Sequence, residues 1–163
     1  MKEIMLSHNL SALVDDEDYE GLSKFKWHLG TKRCGNQYAI RRIYVNGKKS
    51  TTTMHQDILK TPKGMCTDHI NGNGLDIRKC NIRICSPREN CMNRKPQGGT
   101  SKYKGVSLHS KGGKWKCRIK TKGKIYNLGH YDSEKEAARK YNEVASMMFG
   151  QFARLNMIEE ARP

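Results

Sequence analysis

The chain has 163 residues, with 31 Lys or Arg against 16 Asp or Glu and a formal net charge of +15. Only 36% of it is hydrophobic and its mean hydropathy is -0.84, which bounds it to one ordinary domain or two small ones with modest cores. No segment approaches the ~20 apolar residues that cross a bilayer and residues 1–9 lack the apolar run of a signal peptide, so the composition points away from a membrane protein and toward a cytoplasmic one with a polyanionic partner.

In chain order, the first 60 residues read as short strands around one short helix. Residues 10–14 are a strand candidate. Residues 15–23 suit a helical turn, locally acidic at Asp15, Asp16, Glu17, Asp18 and Glu20, ahead of the apolar Phe25 and Trp27. Residues 37–41 and 43–45 are strand-like, Asn46-Gly47 is a hairpin turn signal, and the β-branched 51–53 return as a strand. A short helix follows over 54–59, stopped before Pro62.

Residues 65–70 suit a strand that delivers Asp68 and His69 to its end, and Asn71-Gly72-Asn73-Gly74 has tight-turn composition. A second strand is expected over 81–85. Ser86-Pro87-Arg88-Glu89 then has a helix N-cap, a proline at the first helical position and a capping-box Glu, which places Asn90 in or just past the first turn. Asp68 suits a hard cation through oxygen, His69 takes a proton from water near neutral pH, and Asn81 and Asn90 orient or ligate through amide oxygens. A carboxylate, an imidazole and two carboxamides in one segment of a strongly basic chain suit metal-assisted hydrolysis of a phosphodiester.

The run Asp68-His69-Ile70-Asn71-Gly72-Asn73, with Asn81 and Asn90, resembles the HNH endonucleases, in particular the homing endonucleases of phages and mobile introns. The resemblance implies a ββα-metal core over residues 64–94. It implies His69 as general base, a single Mg²⁺ or Mn²⁺ held by Asp68 and Asn90 with DNA oxygens and water completing the shell, and Asn81 fixing His69 or the strand that carries it. Asn90 stands where many relatives carry a second histidine, which is the arrangement of the phage homing nickases; an amide oxygen suits Mg²⁺ or Mn²⁺ better than Zn²⁺ or Ni²⁺. Met54-His55-x-x-Ile58 is similar to that family's upstream helix, leaving His55 either on DNA or packed. Arg83, Arg88 and Arg94 are candidates for phosphate contact. The cysteines at 34, 66, 80, 85, 91 and 117 fit reduced thiols, and with no Cys-x-x-Cys pair a structural zinc is not expected.

Residues 95–101, Lys-Pro-Gln-Gly-Gly-Thr-Ser, read as a linker between a nuclease domain at 1–94 and a second domain at 102–157, with a tail at 158–163. Strands are expected over 103–109, 114–120 and 124–130, turned at Gly112-Gly113 and near Lys122-Gly123. Ser133 with Glu136 gives a capping box for a helix that places Ala137, Tyr141, Val144, Ala145 and Met148 on one face and closes at Gly150. No acidic residue occurs between Glu89 and Asp132. That interval carries eleven basic side chains, Lys111 among them, interleaved with Tyr103, Trp115 and Tyr126, a composition that favours nucleic acid.

Tyr103-Lys104-Gly105-Val106, Trp115-Lys116-Cys117-Arg118-Ile119, Leu128-Gly129-His130-Tyr131, Glu136-Ala137-Ala138 with Tyr141, and Ala153-Arg154-Leu155-Asn156 resemble the Apetala-type domain of plant ethylene-response factors. The resemblance implies a three-stranded sheet laid in the major groove of double-stranded DNA, with the helix behind it. Alternation points Trp115, Cys117 and Ile119 one way and Lys114, Lys116, Arg118 and Lys120 the other, toward DNA. By resemblance Lys104, Ser107, Lys116, Arg118, Lys120 and Asn127 fall at or near contact positions; Lys114 and Lys124 complete the cationic set. Several arginines and a tryptophan of the plant pattern are lysine, serine or asparagine here. The plant target sequence therefore does not carry over, and the module adds affinity more than specificity.

The expectation is an α+β protein: an N-terminal β-rich region, a ββα-metal core, and a C-terminal three-stranded antiparallel sheet packed on one helix. Its expected activity is site-specific DNA hydrolysis leaving 5′-phosphate and 3′-hydroxyl ends, encoded by a phage or mobile element and acting in a bacterial host. One site per chain predicts a nick; cutting both strands takes a homodimer or two events, and the sequence leaves monomer and homodimer open. A catalytically inactive DNA-binding regulator and a structured-RNA nuclease are the competing readings.

Overall fold

A computed structural model describes residues 1–31, 36–96, 98–109 and 112–159. Cys34 and Lys111 lie outside the described residues. The chain divides into two compact units, Met1–Asn90 and Cys91–Pro163.

In the first unit β1 (Lys2–Met5) and β2 (Ser11–Val14) pair antiparallel. Helix α1 (Asp16–Ser23) carries Asp16, Glu17 and Asp18 in its first turn, where the helix dipole favours negative charge. Strands β3 (His28–Thr31), β4 (Gln37–Val45) and β5 (Lys48–Thr53) form a three-stranded meander. The β4–β5 turn is the expected Asn46-Gly47, both at positive φ (51° and 74°), as a tight hairpin requires. Helix α2 (Met54–Leu59) starts on a capping box between Thr53 and Gln56.

Two strands lie beyond those read from the sequence, β1 and β3, and β4 runs unbroken through Arg41 and Arg42. Arg41 is accommodated because its Nε donates to Asp57 at 2.9 Å and its guanidinium lies 4.0 Å over the Phe25 ring. The core joins Ala12, Val14, Leu22, Trp27, Ala39, Met54, Ile77 and Ile82. Burial of the Trp27 indole is completed by Nε1 donating to the Leu22 carbonyl at 2.9 Å.

The segment that carries the sequence motif follows as β6 (Cys66–His69), β7 (Ile82–Cys85) and α3 (Pro87–Met92). β6 and β7 pair antiparallel, with Asp68 opposite Arg83 and His69 opposite Ile82. The loop between them is bonded to β2: Leu13 N–H donates to Leu75 O and Ile77 N–H to Leu13 O, both at 2.8 Å. The N-terminal hairpin thus braces the loop that leaves the motif strand. The capping box at α3 forms as read, with Ser86 N–H donating to Glu89 Oε2 at 2.8 Å and Glu89 N–H to Ser86 Oγ at 3.2 Å.

In the second unit β8 (Val106–Leu108), β9 (Trp115–Thr121) and β10 (Lys124–Tyr131) form an antiparallel sheet in the order β10-β9-β8. Helix α4 (Glu134–Phe149) packs against it over a core of Tyr103, Val106, Cys117, Ile119, Ala137, Ala138, Tyr141, Ala145 and Phe149. The buried stripe is 137/138, 141, 145, 149. Met148, expected on that face, is 42% exposed, because Phe149 sits four residues beyond Ala145 and takes the inward position. Gly105 is required where it stands: its φ is +78°, and a Cβ there would lie 2.1 Å from the Tyr141 ring. Asn156 pins the segment after α4, accepting from Lys104 N–H at 2.6 Å and donating to Lys104 O at 3.1 Å. The α+β class and the C-terminal sheet-on-helix are as expected. Among the described residues no helix is long and apolar enough to cross a membrane.

Candidate active site and nucleic-acid interface

Asp68 and His69 end β6 as consecutive buried residues, 4% and 7% exposed. Three rings converge at His69. The His55 ring on α2 meets it edge-on at 5.0 Å, and the Tyr38 ring on β4 lies 5.8 Å away. Tyr38 and His55 also touch, at 5.7 Å. His55 is buried and its ring packs against that of His69.

Asp68 is gripped by Arg83 across the ladder: Arg83 Nε and Nη2 both donate to Oδ2, at 2.9 and 2.6 Å. Arg83, read as a phosphate contact, thus serves the neighbouring carboxylate, whereas Arg88 and Arg94 are exposed. Asn81 stands just before β7. Its Oδ1 accepts from Asn71 N–H at 3.0 Å, its Nδ2 donates to Asp76 O at 2.7 Å, and its carbonyl accepts from Ile70 N–H at 2.9 Å. All three bonds hold the turn that leaves His69. Asn90 lies on α3, half-buried, with its N–H donating to Ser86 O at 3.0 Å.

The residue that organises this turn is Asp76, which the sequence reading passed over. It is 2% exposed, accepts from Asn71 Nδ2 at 2.9 Å, and receives Arg78 Nε and Nη2 at 2.7 Å each. The Arg78 bonds, with help from Asn71, hold the Asp76 carboxyl below the usual carboxylate range despite its burial, and raise Arg78 in turn. The available signal was an Asp two residues before an Arg inside an otherwise turn-forming segment.

Among the described residues no three His, Cys, Asp or Glu side chains form a ready cage. Asp68 and Asn90 are instead a carboxylate and a carboxamide, oxygen donors suited to a hard, weakly held divalent ion. The described cysteines are free thiols, and burial pushes Cys85 up to about 11.

In the second unit alternation sorts the sheet faces as read. Cys117 and Ile119 are buried against α4, while Arg118 and Lys120 are exposed on the other side. Register places Ser107 beside Lys116, and Asn127 beside Arg118, on that same face. Lys114 shares it and pairs with Asp132 at 3.2 Å. Two expected contacts lie elsewhere. Lys124 is opposite Thr121, on the helix side by alternation. Lys104 is half-buried with Nζ donating to Met92 O, and desolvation, with Arg154 and Arg94 nearby, pushes it down to about 8. The remaining set, Ser107, Lys114, Lys116, Arg118, Lys120 and Asn127, forms one cationic face.

Residues 101–151 match the AP2 domain family. The chain is 28% identical over 148 residues, 91% of its length and 75% of the other's, to a protein of Acanthamoeba polyphaga mimivirus described as an uncharacterized HNH endonuclease. It is 36% identical over 94 residues to Protein 3.8 of Escherichia phage T7, spanning 57% of this chain and 77% of the phage protein. It is also 40% identical over 76 residues to dehydration-responsive element-binding protein 2C of Arabidopsis thaliana, 44% of this chain but only 22% of the plant protein.

Proposed function

Because the chain belongs to the HNH endonuclease family and carries an AP2 domain, we propose that it is a site-specific, metal-dependent DNA endonuclease that nicks duplex DNA. The observation that carries this reading is the pairing of Asp68 and His69 as consecutive buried residues at the end of one strand, with the turn beyond them tied down by Asn81.

In the proposed reaction a ring nitrogen of His69 takes a proton from water as the water oxygen attacks phosphorus. The bond from phosphorus to the 3′ oxygen breaks, that oxygen takes a proton from solvent, and the ends are 5′-phosphate and 3′-hydroxyl. Tyr38 and His55 hold the His69 ring in place from two sides. Asp68 and Asn90 would hold a single Mg²⁺ or Mn²⁺, which when bound polarises the phosphate and stabilises charge on the departing oxygen. Double-stranded DNA is engaged by the cationic AP2 face, with lysines reading phosphates. One site per chain gives one cut strand per binding event; a double-strand break takes a second protomer or a second event. Viral and phage relatives fit a mobile-element origin, and the protein is proposed to act in the cytoplasm of a bacterial host.

The Arg83 grip on Asp68 favours one competing reading, a DNA-binding regulator whose carboxylate is satisfied internally. Plasmid relaxation separates the two. The nuclease reading predicts open-circular product in Mg²⁺ or Mn²⁺ and none in EDTA, while a regulator gives the same gel shift with or without metal and no relaxation.

A further inference from the structure

On the cationic face of the second unit two histidines meet that neither the core nor the lysine set requires. Ser107, Lys116 and His130 form one row across β8, β9 and β10. His109 lies two residues beyond Ser107, so it falls on the same face, and its N–H donates to Lys114 O at 2.8 Å. His109, just past β8, and His130, on β10, meet edge-on, ring centroids 5.0 Å apart and planes at 86°. We propose that His109 and His130 form a phosphate-binding pair on this face, taking up protons as the sheet engages DNA.

The charge environment supports this. Lys114, just before β9, and Lys116 and Arg118, on β9, share this face with the pair, and Ser107 is its neutral neighbour on β8. Among the described residues the acid next to this strand end is Asp132, just past β10, and it is engaged with Lys114. Helix α4 and its charged residues pack on the opposite face of the sheet. Neutral imidazoles can meet edge to face. Two imidazolium ions among lysines repel one another, and a polyanion placed over them reverses that penalty. The bound state therefore favours the protonated form, and affinity rises as pH falls through the range in which histidine titrates. The lysine field also disfavours the alternative use of a histidine pair, as ligands to a divalent cation.

The inference rests on the reading that this face contacts DNA, and the test separates the two. The full chain is titrated in EDTA against a fluorescent duplex of arbitrary sequence, from pH 8.5 to 5.5 at fixed ionic strength; the DNA phosphodiesters do not titrate over that range. Affinity is expected to tighten at least tenfold for the wild type, with a steeper salt dependence at pH 5.5, by roughly 0.9 in slope for each phosphate gained. The double variant His109→Gln with His130→Gln is expected to match the wild type at pH 8.5 within about threefold, which also certifies its fold, and to change less than twofold down to pH 5.5. Each single variant should lose part of the effect. A pH dependence retained in the double variant, or a wild type that does not respond to pH, overturns the pair. About tenfold weaker binding at every pH in Lys116→Ala with Arg118→Ala upholds the DNA face. If that variant binds normally at pH 8.5, the reading beneath the inference fails as well.

Discussion

Arg83 stands directly opposite Asp68 across the β6–β7 ladder and places two N–H groups on one oxygen of its carboxylate, at 2.9 and 2.6 Å. The carboxylate is 4% exposed, so nearly all of its charge compensation comes from protein rather than water. Such a pair contributes little net stability against an apolar pair, but removing one partner is costly because the other charge stays buried.

The two halves of the pair therefore differ in sensitivity. Arg83→Met removes the guanidinium from a buried carboxylate and should cost about 3 kcal/mol. Asp68→Asn keeps the shape and leaves a guanidinium that can turn to solvent, at a cost of about 1 kcal/mol. Urea unfolding of the two variants checks the order. In the proposed reaction Asp68→Asn should abolish metal-stimulated nicking while the protein remains folded.

Asp76 gives a pH prediction. Its carboxyl is held below the usual range by Arg78, so the native loop is favoured at pH values above the ordinary carboxylate pKa and loses that advantage only as pH falls through the lowered folded value. Thermal stability of the wild type should hold through mild acid and drop in strong acid. Asp76→Asn should cost about 2 kcal/mol near neutrality, from two lost charge-assisted bonds on a buried group. It should also melt with a shallower acid dependence.

Gly105 links fold to binding. A Cβ there meets the Tyr141 ring at 2.1 Å and Arg118 O at 2.6 Å in a left-handed backbone. Gly105→Ala should cost about 3 kcal/mol or more and remove DNA binding with it. Gly64→Ala, also at positive φ (+87°) but in open space, should cost only about 1 kcal/mol. Thermal melts of both variants, with gel shifts, test the contrast.

Lys116 and Arg118 are adjacent members of the cationic face. Replacing both with alanine should weaken duplex binding about tenfold at moderate salt and flatten the log–log salt slope by roughly 1.8 if each neutralises one phosphate. A weakened affinity with an unchanged slope would assign them a structural rather than a phosphate-binding role.

Much of this was legible locally. Ser86 and Glu89 announce α3, Asn46-Gly47 announces a hairpin, and alternation from Trp115 to Lys120 sorts the sheet faces, because each depends on neighbours within a few residues. The Asp68-His69 pair was legible as chemistry. What escaped depends on distant encounters. Asp76 looks like one more turn former until Arg78 and Asn71 close on it and β2 bonds to its flanks. Lys104 reads as a surface charge until the fold turns its amine toward Met92 O. Met148 and Phe149 differ by one helical step, and only packing decides which points inward. The convergence of Tyr38, His55 and His69 needs three elements far apart in sequence to meet.

The most direct test is single-turnover relaxation of a supercoiled plasmid by the full chain in Mn²⁺, compared with His69→Ala, with duplex affinity measured in parallel. The account predicts nicking by the wild type, at least a thousandfold loss in His69→Ala, about the size of a general-base contribution, and affinity unchanged within about threefold. Undiminished nicking by His69→Ala at equal occupancy of the DNA would contradict it.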